Sequence, residues 1–315
     1  MLPKLGIIIV NWNSGPQLRE CLESIENTDI KNYDLNKVVV VDNASSDASA
    51  ESLDQFDLPL KILKNNNNKG FSKACNQGAS LTDADYLLFL NPDTRLFHDS
   101  LSNPIKFMEK PQNQHVGICG IQLVDEFGNY TTSFARFPNN LLFIISALGL
   151  DKIQNLPAIH HLMNEDEREE NSEVDQIIGA FFLVRKEVFV SLQGFDERFF
   201  IYFEEVDFSL RAKQVGYSSH YLADVKAFHK CGGCSDAVKS ERLFYTMRSR
   251  LQYGFKHFSV MQQLALLVIT LFIEFITRSI ASMFCRSNSD LRETIAGYRK
   301  LFNSIFLSKA NDGNI

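Results

Sequence analysis

Asp85-Tyr86-Leu87-Leu88-Phe89-Leu90-Asn91-Pro92-Asp93-Thr94 is the stretch that decides the fold. An apolar run of strand length stops at a proline, which has no N–H to give to a sheet ladder, so Asp93 stands at the carboxyl end of a strand. In an open α/β sheet that edge is where ligands bind, and a carboxylate there can hold a divalent cation against a phosphate. An aspartate after proline is also an ordinary turn residue, so the rest of the chain must decide between the two readings.

Upstream, Leu5–Asn11 and Lys37–Asp42 are continuous β-branched runs, the pattern of parallel strands covered on both faces. Between them Leu18, Leu22 and Ile25 recur at helical spacing within Gln17–Asn27. The first forty or so residues thus read as a β-α-β unit, and a right-handed crossover brings Asn11 and Asp42 to the same edge. Ala44–Leu53 reads as a second helix capped by Ser45, Ser46 or Asp47, Leu60–Leu63 as a short strand, Ser72–Ser80 as a third helix and Leu87–Leu90 as the next strand. Three strand ends then carry polar residues to one rim. Downstream, Val116–Val124 and Ile177–Val184 read as further strands, with Gly179 and Ala180 leaving room for something to approach closely. Asp151–Asp175, with its acidic run Glu165–Glu170, reads as a long surface excursion.

At 315 residues and 45% hydrophobic, the chain can bury a substantial core and is not disordered. Its net charge of −6 is unevenly spread: residues 1–238 sum to −12 and residues 239–315 to +6. An acidic main body argues against nucleic acid as a partner. Six cysteines lie scattered without a disulfide framework, and the N-terminus enters strand-like sequence with no cleavable leader, so a reduced, cytosolic protein is expected.

Three further constellations carry chemistry. In Asn68-Lys69-Gly70-Phe71-Ser72, followed by Asn76 and Gly78, a glycine opens a helix whose free amides could attract an anion, although both Walker and dinucleotide glycine spacings are absent. In Gly194–Asp207 an aromatic block leads into Glu204, Glu205 and Asp207. Asp207 pairs naturally with Arg211 at i,i+4, whereas Glu204 and Glu205 follow an apolar surround that would raise a carboxyl's pKa toward neutrality and suit a general base. In His229-Lys230-Cys231-Gly232-Gly233-Cys234, the Cys-x-x-Cys has no second ligand pair, which disfavours zinc, and His229 reads either as a core histidine or as a metal ligand.

From Phe258 the sequence changes character. Leu264–Ile273 and Ile280–Phe284 are apolar, interrupted by Glu274 and Arg278, and short of the ~20 uninterrupted residues of a bilayer span. An interfacial or hairpin helix attracted to anionic head groups by Arg286, Arg292, Arg299 and Lys300 is one reading; a buried amphipathic helix closing the domain is the other.

Taken together, Val10–Asn13, Val41–Asp47, Asn68–Phe71 with Asn76 and Gly78, Asn91–Thr94, Gly179-Ala180, Gly194–Asp207 and His229 resemble, in order, an inverting family 2 glycosyltransferase of the GT-A fold, in particular its bacterial rhamnosyltransferase-like branch. The resemblance spans residues 5–257. It implies an α/β, Rossmann-like nucleotide-sugar-binding fold with a mostly parallel central sheet and a helical C-terminal tail. The catalytic domain would cover residues 1–257, with a nucleotide-sugar half over 1–125 and an acceptor half over 126–257, and the tail residues 258–315.

By the same resemblance Asp42 accepts from the pyrimidine ring, and Asn11, Asn13, Asn68, Gly70, Phe71, Asn76 and Asn91 complete the donor site. Asp93 takes the place of the last acid of the family's Asp-x-Asp motif, with His229 as a further ligand to Mg²⁺ or Mn²⁺. Asn91 replaces the motif's first acid, a substitution that itself resembles the rhamnosyltransferase branch. Glu205 inherits the general base by position, but glutamate stands where aspartate is usual, so Glu204 remains an alternative. Gly179, Ala180 and Asp207 fall on the acceptor side. The expected reaction moves a sugar, L-rhamnose from dTDP-L-rhamnose first and a hexose from a UDP-sugar second, onto a glycan or polyprenyl-linked acceptor of bacterial surface polysaccharide. Residues 258–300 are expected to meet the inner face of the plasma membrane. A silent nucleotide-sugar-binding module is the alternative from another class. A sugar-phosphate nucleotidyltransferase is disfavoured, since no glycine- and basic-rich loop follows Leu5–Val10.

Overall fold

A computed structural model describes residues 1–150, 169–230, 239–284 and 288–306. Most of the Asp151–Asp175 excursion, the Cys231 and Cys234 pair, and Arg286 lie outside the described residues. The chain forms two compact units.

Unit 1 is built on β1 (Lys4–Asn11), α1 (Gln17–Glu26), β2 (Asp34–Asp42), β3 (Leu60–Lys64), α2 (Phe71–Ala79), β4 (Tyr86–Leu90), β5 (Thr94–Leu96), α3 (Ser102–Met108), β6 (Val116–Val124) and β7 (Phe134–Ala135). α4 (Asn140–Ala147) belongs to unit 2, and unit 1 resumes with β8 (Ser172–Val174), β9 (Gln176–Ile177), β10 (Phe181–Arg185), α5 (Lys186–Ser191), α6 (Glu204–Gln214) and β11 (Ser218–His229). Strands β3-β2-β1-β4-β10-β6-β11-β5 form one sheet in that order, with β8 also on β11, while β7 and β9 pair separately. The β3-β2-β1-β4 block and the β6-β11 pair are parallel, and β10 runs antiparallel to both of its neighbours. This is the mostly parallel α/β sheet that the sequence calls for.

The period of two along β1 splits the core. Leu5, Ile7 and Ile9 pack into one buried cluster with Leu18, Leu22 and Ile25 of α1 and Ile105 and Met108 of α3. Ile8 and Val10 pack into the other with Ala74 and Cys75 of α2 and Phe208 and Ala212 of α6. Both faces of the central strands are therefore covered, as their unbroken apolar runs require.

Two expectations are corrected. Residues 44–53 form no helix: Ala44 and Ser52 take positive φ (64° and 50°), and the hydroxyls of Ser45 and Ser49 serve Asn11 instead of capping a first turn. Serine and aspartate side chains compete with helix in this way. Residues 177–184 are not one strand but two, because the chain turns at 178–180 and leaves β9 and β10 in different sheets.

Unit 2 contains Ile201–Phe203, α4, α7 (Lys239–His257), α8 (Val260–Val268), a π-helical turn (Ile269–Ile273), α9 (Glu274–Phe284) and α10 (Asn288–Phe306). Its core joins Phe143, Met247, Leu251, Leu266, Ile269, Tyr298 and Leu301. Val260–Phe284 is one continuous helix of 25 residues, long and apolar enough to cross a membrane by length and composition, with a mean hydropathy of 2.0 in its most apolar window. The two interrupting charges are accounted for inside the unit. Glu274 is buried and accepts hydrogen bonds from Arg250 and from Arg278 Nε (2.8 Å), while Arg250 also lies over the Phe143 ring at 5.2 Å. Removing one member of such a group strands a buried charge. R250M is expected to destabilise unit 2 by about 3 kcal/mol, with the R250M/E274M pair recovering most of the loss in urea titrations of the full chain.

Candidate active site

Register places the rim. Asn11 lies directly opposite Asp42 in the parallel β1–β2 ladder, and Ile9 opposite Leu90 in β1–β4, so the ends of all three strands fall together. Antiparallel β10 then brings Ala180 to Asn91, whose N–H donates to the Ala180 carbonyl at 3.1 Å. The same carbonyl accepts from Thr94 Oγ1 (3.4 Å), so Ala180 fixes the Asn91–Thr94 turn through its backbone. Finally β5 pairs with β11, aligning Thr94 with His229, and His229 Nε2 reaches Asp93 Oδ1 at 3.4 Å.

The first strand end is a knot of side chains. Asn11 is fully buried, and its amide donates to Asp42 Oδ1 (3.0 Å), Ser45 Oγ (3.0 Å) and Ser49 Oγ (2.9 Å) while its carbonyl accepts from Ser14 Oγ. Asn11 therefore orients Asp42 and presents no surface of its own to a ligand. N11A leaves several buried partners unmatched and is expected to lower stability by about 2 kcal/mol, read as a fall in melting temperature. Asn13, at φ 51°, accepts from the Ser46 and Asp47 amides (2.7 and 3.3 Å) and holds the following loop in place.

Asn43, which lies within the Val41–Asp47 motif but has no role assigned from the sequence, and Asn65 form a second knot. Asn43 donates to Asn68 Oδ1 (2.8 Å) and to the Gly70 carbonyl (3.2 Å), and accepts from Asn65 (3.1 Å) and from the Lys69 amide (3.0 Å). The run of four asparagines at 65–68 was the available signal. Gly70 sits at φ 86°, and a Cβ there would lie 2.6 Å from the Phe200 carbonyl oxygen. That carbonyl accepts from the Phe71 amide (2.6 Å), so this first amide of α2 is committed and not open to an anion. Asn76 is likewise occupied. It clamps Phe195, donating to its carbonyl (2.9 Å) and accepting from its amide (3.0 Å), and so pins the loop that leads to α6.

α6 starts abruptly. Tyr202 and Phe203 both take left-handed φ (69° and 70°), an uncommon conformation for bulky residues that costs on the order of 1 kcal/mol each. Glu204 and Glu205 follow in the first turn. Each has an Oε2 shielded from solvent with no hydrogen-bond partner among the described residues. Burial, then the Glu205 charge, pushes Glu204 well above the carboxylate range, and burial pushes Glu205 up to about 6. Burial followed by the charges of the same two carboxyls also raises the Cys75 thiol, which places α2 beside them. Gly179 faces this pair: a Cβ at that position would lie 3.9 Å from the Glu205 carboxyl carbon. Asp207 has no exposed surface, and its carboxylate is held by Arg211 (2.8 Å), which also donates to the Leu192 and Gly194 carbonyls. It braces α6 and offers nothing to an acceptor in this conformation.

Beside Asp93 opens a cavity of about 360 Å³ lined by Asn13, Gly15, Glu20, Arg95 and Lys230, among others. Asp93 and His229 supply one oxygen and one nitrogen donor at its mouth. No cluster of three or more metal-ligating side chains exists among the described residues, so a cation held here would complete its shell with ligand oxygens and water.

The overall fold is shared with known sugar-transferring enzymes. A mannosyltransferase from Pyrobaculum calidifontis, solved with GDP-Man and Mn²⁺, superposes over 96% of this chain and 88% of its own with a TM-score of 0.58 at 14% identity. The α/β fold is thus that of a GT-A glycosyltransferase. The sequence pattern of glycosyl transferase family 2 matches residues 6–192, and the chain belongs to that family. Among its relatives, Rhamnosyltransferase WbbL of Escherichia coli is 28% identical over 78% of this chain and 91% of its own length. The N-acetylglucosaminyl-diphospho-decaprenol L-rhamnosyltransferase of Mycobacterium tuberculosis is 26% identical over 73% of this chain and 76% of its own.

Proposed function

We propose that this chain is a metal-dependent, inverting rhamnosyltransferase that uses a dTDP-linked sugar and acts on a lipid-diphosphate-linked or growing glycan at the cytoplasmic face of the membrane. The observation that carries it is the meeting of Asp93 with His229 on a rim that also holds Asp42 and, behind Gly179, a carboxyl tuned to about 6. The rhamnose assignment is supported by the names of the two relatives, and the lipid-diphosphate acceptor by the second of them.

In this reading Asp42, steadied by Asn11, receives the base of the nucleotide, and Asn13, Asn68 and Gly70 shape the pocket around it. Asp93 and His229 would hold Mg²⁺ or Mn²⁺, which when bound acts as a Lewis acid toward the diphosphate. Glu205 takes the proton of the acceptor hydroxyl while that oxygen bonds to the anomeric carbon and the bond to the diphosphate oxygen breaks, its electron pair leaving with the nucleotide. Attack from the face opposite the leaving group inverts the centre. Burial raises both carboxyls, and Glu205, the one that Gly179 faces, takes the base role by its position.

A donor panel of dTDP-rhamnose, UDP-glucose, UDP-N-acetylglucosamine and GDP-mannose, read by mass spectrometry of released nucleotide with a polyprenyl-diphosphate-sugar acceptor, tests the reading. Turnover with dTDP-rhamnose alone is expected. Preference for a UDP-sugar would overturn the rhamnose assignment, and binding without turnover of any donor would favour a silent module.

A further inference from the structure

Leu264, Val268, Phe272, Ile276 and Ile280 recur at every fourth position of the Val260–Phe284 helix, and each keeps between 47% and 60% of its surface exposed. Val260 and Met261 extend the row at one end, and Met283 and Phe284 at the other. In an ideal α-helix a step of four residues overshoots a turn by about 40°, so such a row would wind around the axis. The π-helical turn at Ile269–Ile273 lies in the middle of the row, and its wider i→i+5 winding takes back part of the overshoot. The result is a continuous apolar ridge on the solvent side.

The other side of the helix is committed within unit 2. Leu266, Ile269 and Thr270 are buried, Tyr298 Oη donates to the Thr270 carbonyl at 2.7 Å, and Glu274 is tied to Arg250 and Arg278. Because Glu274 is the one acid in this helix and is buried, the exposed ridge carries no negative charge. Lys256 and His257 stand just before it, Arg278 is half-exposed beside it, and residues 239–315 carry +6 overall.

We propose that this ridge seats unit 2 flat on an anionic lipid leaflet, with the helix axis in the membrane plane and the five side chains inserted at the acyl boundary. The inference rests on the membrane-surface reading above and adds to it the inserted residues, their depth and the choice of lying over crossing. Length alone would allow crossing, since 25 residues rise ~37 Å against a hydrocarbon core of ~30 Å. Crossing, however, would either strip the helix from its buried partners or carry Glu274, Arg250 and Arg278 into hydrocarbon, where charged side chains are the most costly residues to place. Lying flat keeps every internal contact and covers only the row that is unpartnered, the geometry of interfacial amphipathic helices.

The test uses the full chain carrying L264W, F272W or I280W singly, bound to phosphatidylcholine–phosphatidylglycerol vesicles and quenched by lipids brominated at defined acyl depths, with native Trp12 as the reference signal. All three positions should report the same shallow depth. A deep centre at residue 272 with shallow ends would overturn in-plane insertion while leaving the membrane-surface reading standing; absence of vesicle co-flotation would overturn both. F272S/I276S should partition about tenfold or more weakly, with sugar transfer to a water-soluble acceptor unchanged. Equal partition of that variant, or equal binding of the parent chain to phosphatidylcholine alone, would overturn the ridge or the anionic-lipid assignment respectively.

Discussion

D93N should transfer sugar about 10³-fold more slowly than the parent chain while melting at nearly the same temperature. The Asp93 carboxylate lies at the mouth of an open cavity, and the surrounding turn is held through backbone groups, so an isosteric amide leaves the packing in place. What it removes is the anionic oxygen facing His229. Preorganised charge stabilisation of a leaving group commonly accounts for two to three or more powers of ten in rate, roughly 3–4 kcal/mol of barrier. Isothermal titration with Mn²⁺ and donor should show the loss directly, because a site with a single carboxylate has little affinity to spare. Turnover within a factor of about three of the parent would remove Asp93 from the reaction altogether.

E205Q should combine lost activity with gained stability. General-base removal lowers the rate by about 10²–10⁴-fold. A carboxyl whose folded-state pKa is raised above its unfolded value stabilises the fold only while protonated. That stability is present below the unfolded value near 4.5 and is lost as pH rises through about 6. At pH 7 and above, a neutral amide should therefore stabilise the protein by about 2 kcal/mol, seen as a raised midpoint in urea. A structural glutamate would lose both properties together. For the parent chain, kcat/KM should rise with pH through about 6 and level off.

Strand content and the rim could be read directly because both depend on local signals. Val116–Val124 appears at the expected bounds, and the Asn11–Asp42 pairing follows from two β-branched runs and the hand of the crossover. The rhamnosyltransferase resemblance also held at the level of family and fold. Less legible was which polar residue faces a ligand and which faces its neighbours. Asn11 and Asn76 occupy motif positions yet are spent on Asp42 and Phe195. Such partners are set by tertiary contacts between residues distant in sequence, which no local pattern encodes. The same holds for residues 44–53, where Ser45, a candidate helix cap, accepts instead from Asn11 at the end of β1 and from the Asn13 amide just beyond it. In the 260–284 helix the two interrupting charges were legible, but the buried partners that hold Glu274 were not.

The pairing of β5 with β11 carries a consequence in time. Asp93 emerges early in synthesis and His229 at the very end of unit 1, and only the closing of the far sheet edge brings them together. Contacts of such long sequence separation form late, after the loop entropy between them has been overcome. Recovery of Mn²⁺ binding during refolding should therefore lag behind recovery of the far-ultraviolet circular dichroism signal, and coincident traces would show that the edge closes with the rest of the sheet. A nascent chain not yet extended through β11 would carry the acid without its histidine, so the proposed cation site would remain incomplete until the last strand of the sheet is in place.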